Sequence, residues 1–203
     1  MSDLTIFGAT QSRALRCLWI AKELGLDYAQ IEVSPRDPST RTPEFLLCNP
    51  SGKVPAMKDG DFSLSESMAI NLYLAKKHGG PLQPVSLEDE ARTWQWSFWA
   101  MTEVEKPLLA YLFACGRMPG MEANEAAMAE NAEALQAPLK HLEQALGDRD
   151  YLLGGDFTVC DLNVASVLTW ARAAKLDTAA FPKVTAWMDR CMSRPTLKAA
   201  SGR

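Results

Sequence analysis

Along the first 78 positions the spacing of apolar residues changes rhythm several times. Leu4-Thr5-Ile6-Phe7 is a short strand pattern closed by Gly8. From Ser12 onward Ala14, Cys17, Leu18, Ala21 and Leu24 recur every three or four positions, which predicts a helix, and Gly25 stands where a helix stop belongs. Ala29, Ile31 and Val33 then alternate with Gln30 and Glu32, the period of a second strand. A turn-rich stretch over residues 34–42 leads to Thr42-Pro43, a cap and first-turn pair for a brief helix through Leu47. Asn49-Pro50-Ser51-Gly52 breaks that helix. Residues 54–57 and 62–64 predict a hairpin around Asp59-Gly60. Ser65 then caps a helix carrying Met68, Ala69, Leu72 and Tyr73, which His78-Gly79-Gly80-Pro81 closes.

The resulting order is β-α-β-α-β-β-α. A strand, a crossover helix and a strand normally pair in parallel, and the final hairpin adds antiparallel strands. This is an α+β, thioredoxin-like N-terminal domain with a mixed sheet, residues 1–78. Residues 79–85 read as a linker. Beyond them strand signals vanish, so residues 86–203 form an all-α, helical C-terminal domain. Glu88, Asp89 and Glu90 place acids at a helix start, where the dipole favours them, and the helix runs through Trp94 and Trp99 to about Ala114. Gly116 and Pro119-Gly120 interrupt it. A second long helix, residues 121–146, contains Pro138, which kinks or breaks it, and two or three further helices follow Gly154-Gly155.

Composition narrows the function. A net charge of −4 over 203 residues supplies no basic stripe for a nucleic-acid backbone. No run approaches the roughly 20 apolar residues a membrane span needs. The amino terminus carries Asp3 where a signal peptide wants basic residues, so a cytoplasmic protein is expected. The five cysteines are odd in number, scattered and never spaced as Cys-x-x-Cys, which fits reduced thiols. With only two histidines as well, no metal site is expected.

Three places carry candidate chemistry. Pro55, directly after Val54, either starts an edge strand or follows a cis bond that turns the Val54 amide and carbonyl toward an extended peptide ligand. Ser65-Glu66-Ser67 lies at a helix start, where unpaired amides and positive dipole hold carboxylates; Ser67 suits an acid and Glu66 an amino group, or both merely cap. Ser12, between the first strand and first helix, is a cap or a hydroxyl facing a ligand at the strand ends, and Thr10 carries a second hydroxyl nearby.

The runs Ser12-Arg13-Ala14-Leu15-Arg16 and Glu23-Leu24-Gly25-Leu26, then Asn49-Pro50-Ser51-Gly52-Lys53-Val54-Pro55, then Glu66-Ser67-Met68-Ala69-Ile70, together resemble the glutathione transferase superfamily. The nearest likeness is to bacterial, theta- and phi-like members that use serine. In the second half Tyr151-Leu152-Leu153-Gly154 with Phe157-Thr158-Val159-Cys160-Asp161 resembles the family's capping-box segment, in which Thr158 and Asp161 cap a buried helix reciprocally.

That resemblance implies a transferase conjugating the thiolate of glutathione, its co-substrate, to an electrophilic small molecule. It assigns Ser12 as the donor to the thiolate and Val54 as the backbone partner of the cysteinyl unit. Glu66 and Ser67 would hold the γ-glutamyl end, and Lys53 and Arg41 the glycine carboxylate. Two departures from the pattern are Met68, in place of the arginine often seen after Glu-Ser, and Thr40-Arg41, near where some members have His-Lys. A homodimer is implied as well. The second substrate would meet the first long helix of the carboxyl half, where Trp96, Trp99, Glu103 and Phe113 are candidates by position and core residues by spacing. Glutathione-dependent disulfide or peroxide reduction, isomerisation, and non-catalytic binding are the competing readings.

Overall fold

A computed structural model describes residues 3–35, 37–117 and 120–202. The chain divides into two units, one running to Gln83 and resumed from Ser193, the other spanning Pro84–Met192.

In the first unit the sheet has strand order β2-β1-β3-β4. Strand β1 (Leu4–Phe7) pairs in parallel with β2 (Ala29–Ile31), Thr5 opposite Ala29. It pairs antiparallel with β3 (Ala56–Asp59), Phe7 opposite Ala56, and β3 pairs antiparallel with β4 (Phe62–Ser65). Helices α1 (Ala14–Glu23) and α3 (Ser67–His78) pack against each other. With the sheet they bury Ile6, Leu18, Trp19, Met57, Ile70 and Leu74 almost completely. Each such side chain contributes about 1.5–3 kcal/mol on leaving water. A second cluster joins Val33, Phe45, Val54 and Ala56, with Phe7 packed edge-on against Phe45 of α2 (Pro43–Cys48).

Several boundaries differ from the periodicity. β2 stops at Ile31, although Val33 continues the alternation into the buried cluster. Val54 and Pro55 stand ahead of β3 rather than in it. Ser65 is not the cap of α3: its backbone pairs with Ala56 as the last residue of β4, so the chain turns one residue later, at Glu66. Thr42 does cap α2, accepting the Phe45 amide at 3.3 Å.

The second unit is helical. The first long helix comprises α4 (Leu87–Trp99), a π-helical turn (Ala100–Val104) and α5 (Glu105–Ala114), with Glu105 N–H reaching back five residues to the Ala100 carbonyl. Pro107 explains the widening, because its ring crowds the carbonyl four residues back, Glu103, and offers it no N–H. The expected interruption at Pro119 lies outside the described residues. The second long helix is two, α6 (Glu125–Ala134) and α7 (Gln136–Leu146). The break falls at Leu135, and Pro138 occupies the first turn of α7, where no N–H is needed.

Helices α8 (Val159–Ala174) and α9 (Pro182–Met192) complete the unit. Asp161, fully buried, accepts from Leu152 N at 2.8 Å, Trp187 Nε1 at 2.9 Å and Thr158 N at 3.1 Å, and closes the capping box with Thr158.

The last helix, α10 (Pro195–Ala200), departs from the contiguous division expected of the sequence: residues 193–202 pack with the first unit. Arg194 makes a forked pair with Glu23 of α1 at 2.6 and 2.8 Å, and Trp19 Nε1 donates to both Glu23 and Thr196. Burial would raise the Glu23 carboxyl, but the bonds from Arg194 and Thr196 hold it below its ordinary range. Among the described residues no helix is long and apolar enough to cross a membrane.

Candidate active site

Sheet register brings the scattered motifs together. Ser65 lies opposite Ala56, so Glu66-Ser67 emerges at the same end of the hairpin as Val54-Pro55. The Val54–Pro55 bond is cis, and Val54 takes no place in the ladder with β1 or β4. Gly8 closes the other side. A Cβ there would lie 2.5 Å from the Ala14 Cβ, 3.3 Å from the Val54 Cβ and 3.5 Å from the Ser12 Oγ. Only a residue without a side chain lets the β1 end approach both elements, and its φ of +140° also favours glycine.

Ser12 is half-buried, one residue ahead of the turn into α1. Its hydroxyl donates to the Ala9 carbonyl at 2.6 Å and accepts the Ala14 amide at 3.1 Å. The capping role and the ligand-facing role thus meet on one oxygen, which keeps one lone-pair direction and a rotatable proton. Thr10 lies two residues ahead in the same loop, partly exposed.

Glu66 has φ 70° and ψ 114°, a left-handed backbone that costs a residue with a Cβ about 1–3 kcal/mol. Its side chain is exposed, while Ser67, the first residue of α3, keeps 3% of its surface. Arg16 of α1, equally buried, donates from Nη1 to the Ser67 Oγ at 3.3 Å. The amide end of α3, a hydroxyl and a guanidinium therefore share one spot, a setting that favours a carboxylate. The Cys17 thiol lies 3.8 Å from the Ser67 carbonyl. Burial pushes that thiol far above the ordinary range against the pull of Arg16.

Arg41 and Lys53 are both exposed, on the two loops flanking α2. Arg41 donates to the Ser51 carbonyl at 3.2 Å, and the Lys53 carbonyl is held by Asn49 Nδ2 at 2.7 Å.

Periodicity missed three residues. Arg16 stands off the apolar stripe of α1, yet α1 buries seven residues and Arg16 is one of them. Asn49 reads as a helix breaker and is in fact a buried hub. Gly8 reads only as a strand stop. In the second unit, Trp96 is buried and stacks edge-on with Trp99 at 4.9 Å, with His141 of α7 tilted 5.2 Å away. Glu103 and Phe113 are exposed.

Comparison with known proteins adds the family. The glutathione S-transferase N-terminal domain matches residues 2–76 and the glutathione S-transferase C-terminal domain residues 104–195. Glutathione S-transferase 4 of Zea mays is 33% identical over 194 residues, covering 91% of this chain and 83% of that protein. Glutathione S-transferase I from mais, solved in complex with an atrazine glutathione conjugate, superposes with a TM-score of 0.86 at 31% identity, over 99% of this chain and 97% of that one. The theta class enzyme of Xanthomonas axonopodis pv. citri with glutathione bound gives a TM-score of 0.90 at 28% identity, over 100% and 99% of the two chains. With both domain families matched in order and the Zea mays relative aligned over 83% of its length at 33% identity, this chain belongs to the glutathione S-transferase family.

Proposed function

We propose that glutathione lies across the end of the sheet formed by Val54, Glu66, Ser67 and Ser12, and that this transferase joins its thiolate to an electrophilic small molecule. The observation that carries the reading is the convergence of three unlike groups on one place. Val54 supplies an unladdered backbone edge for an extended peptide. Ser67, backed by Arg16 and the α3 amides, receives the γ-glutamyl carboxylate, and the exposed Glu66 faces the amino group. Ser12 stands beside Val54 and so beside the cysteinyl sulfur. Arg41 and Lys53 lie toward the glycine end. Titration calorimetry tests the carboxylate assignment: Ser67→Ala should lose roughly 1–3 kcal/mol of glutathione binding, because a charge-assisted hydrogen bond goes. Unchanged affinity would remove Ser67 from the site. A panel of a chloronitrobenzene, a hydroperoxide and a mixed disulfide separates conjugation from reduction.

The active species is a cytoplasmic homodimer. Its support is an exposed apolar stripe on α4: Leu87 is 70% exposed, Trp94 44% and Phe98 70%, spaced seven and four residues apart on one helical face. Such a face marks an interaction surface, and a second copy can cover it through an isologous two-fold contact. Light scattering at micromolar concentration should give twice the 22.3 kDa chain mass; the monomer mass would contradict the assignment.

A further inference from the structure

The loop after α2 is built around one side chain. Asn49 is 2% exposed, and its Oδ1 accepts from both the Ser51 amide at 3.2 Å and the Ser51 hydroxyl at 2.9 Å. Its Nδ2 donates to the Lys53 carbonyl at 2.7 Å, and its own carbonyl accepts the Gly52 amide at 2.9 Å. Residues 51–53 are thereby fixed from within.

The guanidinium of Arg41 rests on that fixed surface. Nη1 donates to the Ser51 carbonyl, and a Cβ on Gly52 would lie 2.3 Å from Nη1, 2.8 Å from Cζ and 3.0 Å from the Thr40 carbonyl. Gly52 has φ +62°, so it provides both the left-handed turn and the space the guanidinium fills. The far end of Arg41 is held equally well. It closes a 3₁₀ turn (Pro38–Arg41) in which Asp37 accepts the Ser39 amide at 2.8 Å and Thr40 Oγ1 donates to the Asp37 carbonyl at 2.8 Å. Arg41 is exposed, and among the described residues it forms no ion pair, its recorded partner being a neutral carbonyl. A guanidinium carries five N–H donors, so a fork remains for a carboxylate.

We infer that Gly52, next to Lys53 in the chain, and the Asn49-centred loop are a seat that positions the Arg41 guanidinium to receive the glycine carboxylate of glutathione. Gly52 is then a positioning residue: it touches no substrate and acts by leaving room for Arg41. The inference rests on the glutathione reading above, and it places Arg41 in the site although Thr40-Arg41 departs from the His-Lys pattern.

The readout is the ratio of affinities for glutathione and for its monoester at the glycine carboxyl, measured by calorimetry. A merely structural change lowers both affinities and leaves the ratio alone. Arg41→Gln should cut the ratio about tenfold, the effect of losing one charge-assisted contact. Gly52→Asn should cut it by a similar factor, because asparagine tolerates the left-handed backbone while its Cβ still displaces Arg41. The double variant should fall no further, since both act through one group. Arg41→Lys keeps the charge without the planar fork, so it should stay several-fold below wild type.

An unchanged ratio in Arg41→Gln or Gly52→Asn overturns the seat, as does an additive double variant. If Gly52→Asn does not fold, Arg41→Lys decides, and full recovery there overturns it. Wild-type protein that binds glutathione in none of these titrations overturns the function itself, which is a separate failure.

Discussion

Asp161→Ala is expected to remove at least about 4 kcal/mol of stability, the largest loss any single side chain here should show. The carboxylate has no cation beside it among the described residues and lives entirely on donors: Leu152 N, Trp187 Nε1, Thr158 N and the Thr158 hydroxyl. Truncation leaves three buried N–H groups without an acceptor, each worth about 1–3 kcal/mol. It also opens the first turn of α8, whose cap alone contributes about 1 kcal/mol. Every one of the first ten residues of α8 is buried, so water has no easy way in to replace the carboxylate. A domain stability of about 5–15 kcal/mol leaves little after such a loss. Urea unfolding followed by tryptophan fluorescence measures it, and Trp187 itself reports on the site. Asp161→Asn should recover only part, since its NH₂ would face donors. A change below about 1 kcal/mol for Asp161→Ala would mean the capping box holds nothing that the surrounding apolar packing does not already hold.

Ser12→Ala should cut turnover about tenfold at neutral pH and leave glutathione affinity nearly intact. A free thiol has a pKa of about 8.5, so only a few per cent is ionised at pH 7. Half ionisation there requires a shift of about 1.5 units, or about 2 kcal/mol in favour of the thiolate. A hydroxyl donating to an ionised group supplies about 1.5–3 kcal/mol. In this fold the Ser12 proton already bonds the Ala9 carbonyl, so turning it to sulfur forfeits about 1 kcal/mol of that gain. The α1 dipole returns about 0.3–1 kcal/mol. The Ala14 amide keeps its hold on the same oxygen, so only the proton has to move.

Removing the hydroxyl raises the pKa of the bound thiol. The deficit is therefore full below the wild-type pKa, shrinks as pH climbs, and vanishes once both proteins are ionised. The thiolate's ultraviolet absorbance against pH, with kcat/KM over the same range, follows this directly. Coincident curves would leave Ser12 as a helix cap and make Thr10 or a backbone amide the donor.

The local patterns of this chain determined most of its elements. The short strand pattern of residues 4–7, the three-and-four spacing after Ser12 and the Thr42-Pro43 cap each depend on neighbours within a few positions, and each element formed where its pattern lies. The Thr158–Asp161 capping box was implied by the family resemblance, and it forms within one turn of α8. Long-range consequences were not legible. Nothing near Arg16 marks it as buried; its partner Ser67 is 51 residues away and meets it only because α1 and α3 pack together. The strained backbone at Glu66 follows from the register of β3 with β4, which claims Ser65 for the sheet. The seat beneath Arg41 needs Gly52 and Ser51 folded back by Asn49, and α10 joins the first unit because Glu23 and Arg194, 171 residues apart, find each other. Sequence by itself determined what depends on torsional preference and nearest-neighbour spacing. Which polar groups meet out of water was decided only by tertiary packing, because burial removes water as an alternative partner and makes each distant pairing obligatory.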